Sequence, residues 1–226
     1  MRILVMLGAP GAGKSTRAKL LAELLGQQHV ASGDLFREAV ALGTAQGREA
    51  KSYMDRGALV PDAIVIGMIE DRLSRPEAAA GVVLDGFPRT RAQAETFDAS
   101  LARRGDRVTA AVYIGVREAE LVRRLTGRWV CRANGHLFHA TDGPPKVPGV
   151  CDYDGSDLYQ RDDDRPETVR ARLEQQLPPM FDVVDYYREA GILLTVDGEQ
   201  EFAQVRESLL RALGGQLQLP GGAART

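Results

Sequence analysis

Residues 8–15 read GAPGAGKS, which fits the pattern G-x-x-x-x-G-K-[ST]. An apolar run at 3–7 precedes this stretch and has the character of a buried strand, and residues 17–25 after it have the character of a helix. In such a strand–loop–helix unit, glycines let backbone N–H groups point at phosphate oxygens, and the helix N-terminus and Lys14 add positive charge. The stretch therefore predicts a nucleotide phosphate loop rather than a glycine-rich turn without a ligand.

Length, charge and cysteine content exclude several classes of protein. The chain has 226 residues, enough for one large domain or a core domain with insertions. A formal net charge of −2 gives no overall attraction to nucleic acid or to an anionic membrane. Two cysteines cannot build a disulfide scaffold, and neither a signal sequence nor an apolar stretch of about 20 residues is visible. We expect a cytoplasmic protein without nucleic-acid or membrane partners.

Short apolar runs alternate with helical patterns along the chain. The runs with strand character are 3–7, 29–31, 82–84, 110–114 and 192–196. Helical patterns after the first helix cover 34–42, 48–55, 62–74, 91–104, 118–126, 166–189 and 200–213. Short, non-alternating strands separated by helices are typical of an α/β fold, so we predict a five-stranded parallel sheet with helices on both faces. Such sheets bind ligands beyond the carboxyl ends of their strands.

Three segments depart from this alternation. Residues 31–60 are helical and lie between the second and third strands, where Ser32 or Asp34 is a candidate helix cap. Residues 127–164 are rich in Gly, Pro and Asp, which predicts a small hairpin-like subdomain that acts as a lid or binding loop. Residues 214–226 are predicted to form a disordered tail.

The third predicted strand ends in Asp85, and GFPRT follows at 86–90. A carboxylate at the end of a strand beside a phosphate loop can hold the hydration shell of Mg²⁺. Planar guanidinium groups match the charge that spreads over a phosphoryl group in transfer. The sequence thus predicts phosphoryl transfer between two nucleotides, with arginines near the predicted turns and hinges: Arg37, Arg89, Arg124, Arg128, Arg161 and Arg172.

With these motifs, the chain resembles the adenylate kinases of the long-lid bacterial type, which are P-loop nucleoside monophosphate kinases. The resemblance runs from Met1 to about Leu213. Its motifs are GAPGAGK at 8–14, SGD at 32–34, DGFPRT at 85–90, PPKV at 144–147, and RDDD at 161–164 with ETVR at 167–170.

The resemblance implies a P-loop NTPase core with a helical and a β-rich insert, and reversible transfer from Mg·ATP to AMP that gives two ADP. The core would comprise 1–30, 61–126 and 165–213, the AMP-binding segment 31–60, and the lid over ATP 127–164. Family members of this size are commonly monomers.

Site residues follow from the resemblance, position by position. Those that would bind ATP are Gly11, Ala12, Gly13, Lys14, Ser15, Thr16, Arg128, Phe138, Gly198 and Gln200. Those that would bind AMP are Ser32, Arg37, Ala58, Leu59, Val60, Gly86, Phe87, Pro88, Arg89, Gln93, Arg161 and Arg172, with Gln93 reading the adenine edge. Those that would act in catalysis are Lys14, Asp85, Arg89, Arg124, Arg128, Arg161 and Arg172.

The chain departs from the family pattern at several positions. Ser15 stands where relatives usually have glycine and could offer Mg²⁺ a hydroxyl or be a neutral change. In the lid, many relatives carry four zinc ligands as C-x-x-C and C-x-x-[CD]. Here the pairs are Cys131 with Asn134 and Cys151 with Asp154.

The neutral amide of Asn134 is a poor zinc ligand. The sequence therefore favours a metal-free lid held by hydrogen bonds over a zinc site of Cys131, Cys151 and Asp154. His136 or His139 could replace the amide as a ligand, although each lies past the turn. A Cys131–Cys151 disulfide is a further alternative, which a reducing compartment disfavours.

Three other functions stay open on sequence grounds. One is a kinase with UMP or CMP as acceptor, which the long insert at 127–164 disfavours. Another is use of GTP as donor, which would differ only around the base pocket. The third is a nucleotide-binding switch without turnover, which the converging arginines disfavour.

Overall fold

The computed structural model describes residues 1–56 and 58–214. The predicted disordered tail lies outside the described residues, apart from Gly214, which ends the last helix. Among the described residues, no helix combines the length and the apolar composition that a bilayer crossing requires.

Within the described residues, five strands form one parallel sheet, as predicted. Their order across the sheet is β2–β3–β1–β4–β8. The bounds are β1 (Arg2–Leu7), β2 (Gln28–Ala31), β3 (Val82–Asp85), β4 (Arg107–Gly115) and β8 (Leu193–Asp197).

Helices connect these strands and cover both faces. The bounds are α1 (Lys14–Leu25), α2 (Ser32–Ala41), α3 (Ala45–Met54), α4 (Asp62–Leu73), α5 (Arg91–Arg103), α6 (Glu118–Thr126), α7 (Pro166–Glu189) and α8 (Phe202–Gly214). Short 3₁₀ turns lie at Pro76–Ala78 and Asp162–Asp164.

The side chains of β1 alternate between two apolar layers. Ile3, Val5 and Leu7 pack into the layer that contains residues of α4, α5 and the C-terminal part of α7. Leu4 and Met6 pack into the opposite layer, with residues of α1, α6, α8 and the N-terminal part of α7. Because both layers are apolar, every residue of β1 after Arg2 is buried, which explains why its sequence shows no polar alternation.

The register of the sheet brings three strand ends together. Met6 of β1 and Ala31 of β2 are both in register with Asp85 of β3. The chain leaves β1 between β3 on one side and β4 on the other, which is where strand order reverses in the sheet. The phosphate loop therefore lies at a crevice outside the carboxyl ends of the strands.

The predicted helical insert begins differently from what its sequence indicates. Neither Ser32 nor Asp34 caps α2: the N-cap is Ala31, and no side chain bonds the exposed N–H groups. The Ser32 hydroxyl instead donates to the Gly86 carbonyl at 2.7 Å and ties α2 to the loop after β3. Tertiary contact has overridden the local cap preference here.

A separate antiparallel sheet lies between α6 and α7, which confirms the predicted β-rich insert, and we call this part of the chain the small β subdomain. Its antiparallel sheet has the order β6–β5–β7, with β5 (Arg128–Cys131), β6 (Leu137–His139) and β7 (Leu158–Tyr159). Its own core consists of Cys131, Phe138, Cys151 and Leu158.

Candidate active site

The loop between β1 and α1 is shaped by glycines in the left-handed region. Gly11 has φ of 85° and Gly13 has φ of 81°, conformations that other residues adopt only with strain. These conformations turn the chain sharply into α1, which begins at Lys14, so the helix N-terminus faces the crevice.

The ammonium group of Lys14 lies inside this loop. Its Nζ donates to the Ala9 carbonyl at 2.8 Å. Burial, together with the nearby positive charges of Arg89, Arg172 and Arg128, lowers the pKa of Lys14 to about 8, although Asp85 opposes the shift. An anion that enters the loop would relieve this unfavourable environment.

Asp85 is an ionised carboxylate at the floor of the crevice, with only 4% of its surface exposed. Burial by itself would raise the pKa of Asp85. Contact with His29, the charge of Lys14 and the hydroxyl of Ser15 together lower it below its ordinary value. Nε2 of His29 lies 3.5 Å from Oδ2 of Asp85. A carboxylate and a hydroxyl side by side are oxygen donors of the kind that suits hydrated Mg²⁺, so these residues fit the ion that the family pattern implies.

A large pocket opens above the loop, between the sheet and the small β subdomain. It brings together many residues that the sequence predicted for ATP or for catalysis: Gly11, Gly13, Lys14, Ser15, Thr16, Asp85, Arg89, Arg124, Arg128, Phe138, Arg161 and Arg172. A smaller pocket adjoins it and shares Arg37, Gly86, Arg89 and Arg172 with it.

Two of the predicted arginines carry charge that no carboxylate neutralises directly. In the described part of the chain, neither Arg89 nor Arg161 lies within ion-pair distance of Asp or Glu. Among the residues that the structure describes, Arg89 donates to neutral oxygens, through Nε to the Gly86 carbonyl and through Nη1 to Oε1 of Gln176. Burial, with the neighbouring charge of Arg172, lowers the pKa of Arg89 to about 10.

The guanidinium group of Arg161 also has an unpaired hydrogen-bond donor. Its Nε is buried and has no hydrogen-bond partner among the described residues. Burial and the repulsion of Arg128 and Arg37 lower its pKa. Buried unpaired donors are costly, so this guanidinium group has the environment of one that awaits an anionic ligand.

The other predicted arginines are held by carboxylates at the rim. Arg128 of the small β subdomain makes a two-pronged contact with Asp164, at 2.8 Å and 2.5 Å. Arg172 of α7 lies 3.1 Å from a carboxylate oxygen of Asp163 and 3.7 Å from Asp164. Arg37 pairs with Asp34, and Arg124 pairs with Glu120.

The smaller pocket lies between α2, the 58–60 segment and the loop after β3. Predicted AMP-binding residues in its wall are Ser32, Arg37, Ala58, Leu59, Val60, Gly86, Arg89, Gln93 and Arg172. Apolar side chains of Phe36, Met54 and Val65 complete the wall. A cleft that combines apolar side chains with the buried amides of Gln93 and Gln176 suits a planar base.

A family model of adenylate kinases matches residues 6–192. The chain belongs to the adenylate kinase family. It is 48% identical over 214 residues to the adenylate kinase of Streptomyces griseus, covering 94% of this chain and 97% of that protein. It is 46% identical to the adenylate kinase of Methanothrix thermoacetophila over 93% of this chain and 97% of that protein. It is 41% identical to the adenylate kinase of Staphylococcus aureus, over 93% of this chain and 98% of that protein.

Not every residue predicted from the adenylate kinase pattern lies on the two pockets. Ala12 is fully buried behind the loop, and Phe87 packs edge-to-face on Phe97 in the core, with ring centroids 5.1 Å apart. Pro88 lines the large pocket and not the small one. Gly198 and Gln200 line neither, although the Gly198 carbonyl accepts from Nη1 of Arg124 at 3.1 Å.

Gln176 is one of the polar pocket residues that sequence reasoning missed. Gln176 of α7 lines both pockets and accepts a hydrogen bond from Arg89 at 3.0 Å. Its position one turn after Arg172 on α7 is the signal that could have revealed it, because residues four apart share a helix face.

The small β subdomain of this adenylate kinase family member holds a cluster of candidate metal ligands. Atoms of Cys131, His136, Cys151 and Asp154 all lie within 4.8 Å of one another. Both cysteines are free thiols, so the alternative of a disulfide is not realised in this structure.

Of the candidates for a fourth ligand, His136 joins the cluster. Its Nδ1 lies 3.3 Å from the sulfur of Cys151 and 3.3 Å from Oδ2 of Asp154. Asn134 instead donates through Nδ2 to Oδ2 of Asp154 at 2.8 Å, and His139 contacts the Arg123 carbonyl. The turn between Asn134 and His136 therefore brings the imidazole back to the cysteines.

Proposed function

We propose that this protein is an adenylate kinase that reversibly transfers the γ-phosphoryl group of Mg·ATP to AMP and forms two ADP. The observation that carries the proposal is the convergence of Lys14, Arg89 and Arg161, which lie in one crevice without carboxylate partners among the described residues. Two facing phosphate chains would neutralise this excess of positive charge. The reaction serves adenine nucleotide homeostasis.

The two pockets suggest where each nucleotide binds. ATP would place its phosphates in the loop of Gly11–Thr16 and meet Arg128 and Phe138, and its base would lie toward Gly198 and Gln200. AMP would occupy the smaller pocket, with its base beside Gln93 and its phosphate at Arg37, Arg89 and Arg172. Because Arg89 and Arg172 line both pockets, they lie where a phosphoryl group would pass from one nucleotide to the other.

The chemistry requires positioning and charge stabilisation more than a covalent nucleophile from the protein. Lys14, Arg89 and Arg161 would neutralise the charge that develops on the phosphoryl oxygens, while an oxygen of AMP attacks in line. Asp85 and Ser15 would hold hydrated Mg²⁺. When bound with ATP, Mg²⁺ supplies further neutralisation of phosphate charge.

The small β subdomain would act as a lid over ATP, and residues 31–60 as the AMP-binding segment. Arg128 and Phe138 belong to the small β subdomain and face the large pocket, so its movement would carry them toward or away from the phosphates. Closure would exclude water, which would otherwise accept the phosphoryl group. Gly127 and the run 162–164 flank the subdomain and are the natural hinges.

A coupled assay with AMP, UMP, CMP or GMP as acceptor and ATP or GTP as donor tests this function. We expect turnover with ATP and AMP that far exceeds every other pair. A preference for UMP or CMP would indicate a pyrimidine kinase, and absence of turnover with all pairs would indicate a nucleotide-binding switch.

Substitution of Arg89 tests the site itself. Arg89→Ala should lower kcat by orders of magnitude with little change in the melting temperature, because its charge contacts the transferred group and not the core. Arg104→Ala, which removes an exposed arginine at the far end of α5, is the matched control and should keep wild-type turnover. Near-normal turnover of Arg89→Ala would contradict the assignment.

We also propose that the small β subdomain binds a structural Zn²⁺ through Cys131, His136, Cys151 and Asp154. Two thiols, one imidazole and one carboxylate are a donor set typical of zinc, and four ligands suit a closed structural site. The placement of His136 is the reason to prefer this site over a metal-free subdomain, because it supplies the ligand that Asn134 does not.

Metal analysis of the purified protein tests the zinc site. We expect about one equivalent of zinc per chain in the wild type and much less in His136→Ala and Cys151→Ser. Asn134→Ala is the matched control, because Asn134 donates to Asp154 but is not one of the four proposed ligands, and the variant should retain most of the metal. Zinc content that depends on Asn134 and not on His136 would contradict the ligand set.

A monomeric state and a cytoplasmic location stay predictions. Gel filtration with light scattering would measure the first and cell fractionation the second.

A further inference from the structure

The side-chain amide of Gln93 is held at both ends by groups of fixed hydrogen-bonding character. Its Oε1 accepts from the backbone N–H of Arg89 at 2.7 Å, and its Nε2 donates to Oδ1 of Asp62 at 2.7 Å. Gln93 is buried, with 1% of its surface exposed, and it lies in the wall of the smaller pocket.

These two partners permit only one orientation of the amide. A backbone N–H can only donate, and a carboxylate can only accept. If the amide were inverted, its NH₂ would face the N–H of Arg89 and its oxygen would face Asp62, so both hydrogen bonds would become repulsive contacts. The hydrogen-bond partners therefore determine which end of the Gln93 amide is nitrogen and which is oxygen.

Asp62 is itself well supported in this position. It is the first residue of α4, where the helix dipole favours a negative charge. Its second oxygen, Oδ2, lies 3.5 Å from the hydroxyl of Thr90, which also accepts from the backbone N–H of Gln93 and caps α5. The carboxylate thus connects the start of α4 to the start of α5.

The fixed amide still has bonding capacity. Its contacts within the described residues use one N–H of Nε2 and one lone pair of Oε1. One N–H and one lone pair remain for a ligand. Adenine presents a complementary edge, with an acceptor at N1 and a donor at the 6-amino group, whereas a 6-oxopurine presents a donor at N1 and an acceptor at O6.

A freely rotating glutamine would serve both kinds of purine, because inversion of its amide exchanges donor and acceptor. We propose that Asp62 is a positioning residue that fixes the Gln93 amide in the orientation that accepts adenine and rejects 6-oxopurines in the monophosphate pocket. This inference rests on the proposed function, since it assigns the AMP base to the smaller pocket.

Asp62→Asn is the decisive variant. The substituted side chain keeps its size but can turn its own NH₂ toward an inverted Gln93, so inversion then costs only the contact with Arg89. The measurement is kcat/KM for AMP and for IMP at saturating Mg·ATP, because the two nucleotides differ only at positions 1 and 6 of the base. We expect the AMP/IMP ratio to fall about tenfold, the size expected for one hydrogen bond.

Asp71→Asn is the matched control. It makes the same chemical change on the same helix, about 14 Å along the axis from Asp62, at an exposed residue paired with Arg75. Its AMP/IMP ratio should equal that of the wild type. Asp62→Ala removes the acceptor and offers no donor, so it should lower the AMP/IMP ratio less than Asp62→Asn does. If Asp62→Asn does not fold, Asp62→Ala is measured in its place.

The outcomes separate this inference from the proposed function. A wild type that does not phosphorylate AMP overturns the proposed function. A wild type that prefers AMP, with Asp62 variants that lose AMP and IMP activity in equal proportion, overturns only the positioning role, since a merely structural residue would act on both substrates alike. A ratio that falls in Asp71→Asn as much as in Asp62→Asn overturns it as well.

Discussion

Lys14 shows how the site prepares for an anion at the scale of one residue. Its ammonium group is desolvated and lies near several arginines, and within the described part of the chain it donates to the Ala9 carbonyl at 2.8 Å. Burial and the neighbouring positive charges favour loss of the proton more than the charge of Asp85 opposes it. A phosphate group that binds beside Lys14 restores the preference for the charged form.

The pH dependence of ATP binding follows from this environment. In the free protein the pKa of Lys14 is about 8, so above pH 8 the residue becomes neutral and attracts phosphate less. Bound phosphate raises the pKa, so binding above pH 8 takes up a proton and the affinity falls as the pH rises. Calorimetry at about pH 8.5 in two buffers of different ionisation enthalpy measures this uptake.

Two substitutions test whether Lys14 is the group that takes up the proton when ATP binds. Lys14→Met should abolish the uptake, whereas Lys146→Met, which changes an exposed lysine of the small β subdomain, should leave it intact. Equal heats in both buffers for the wild type would show that Lys14 is already charged in the free protein.

The connection between the small β subdomain and α7 belongs to the scale of elements. Asp164, which is fully buried, accepts two hydrogen bonds from the guanidinium group of Arg128 in β5 and lies near Arg172 of α7. Removal of one partner from a buried ionic group leaves the other charges uncompensated, at a cost of about 3–5 kcal/mol. We therefore expect the turn at Asp162–Asp164 to attach the small β subdomain to α7 more firmly than the surface ion pairs do.

Asp164→Ala tests the contribution of this group. We expect the melting temperature of the variant to be about 10 °C below that of the wild type. This difference should become smaller when diadenosine pentaphosphate saturates the protein, because the phosphates then neutralise Arg128 and Arg172. Asp162→Ala, in the same turn but exposed and paired with Arg165, should change the melting temperature little. An equal effect of both variants would contradict the special role of Asp164.

Element boundaries were predictable where local signals dominate. The helices at Glu118–Thr126 and Pro166–Glu189 have the bounds that the sequence indicates, since α7 has Pro at its first position and both have acidic first turns. The start of α2 was predicted wrongly, because the hydroxyl of Ser32 bonds to Gly86, which lies 54 positions away. A local pattern carries no information about such a distant acceptor.

At the scale of the whole molecule, the protein has two separately built cores. Among the described residues, apolar layers on both faces of the parallel sheet hold the main body, while the core cluster of the small β subdomain consists of Cys131, Phe138, Cys151 and Leu158. Such a small core is marginal, and a bound metal would compensate for it. If zinc is bound, chelation should increase hydrogen exchange within 127–164 and leave β1 and β3 protected; uniform exchange throughout the chain would contradict this.

The sequence by itself determined the fold class and the loop, because short apolar runs, helical patterns and glycine spacing are encoded within a few neighbouring residues. It also identified most cationic residues that line the two pockets. Only the tertiary structure decided which of them lack carboxylate partners, that His136 joins the cysteines, and that Asp62 holds Gln93 from 31 positions away. Those facts depend on contacts between distant segments, and such contacts exist only after the chain has packed.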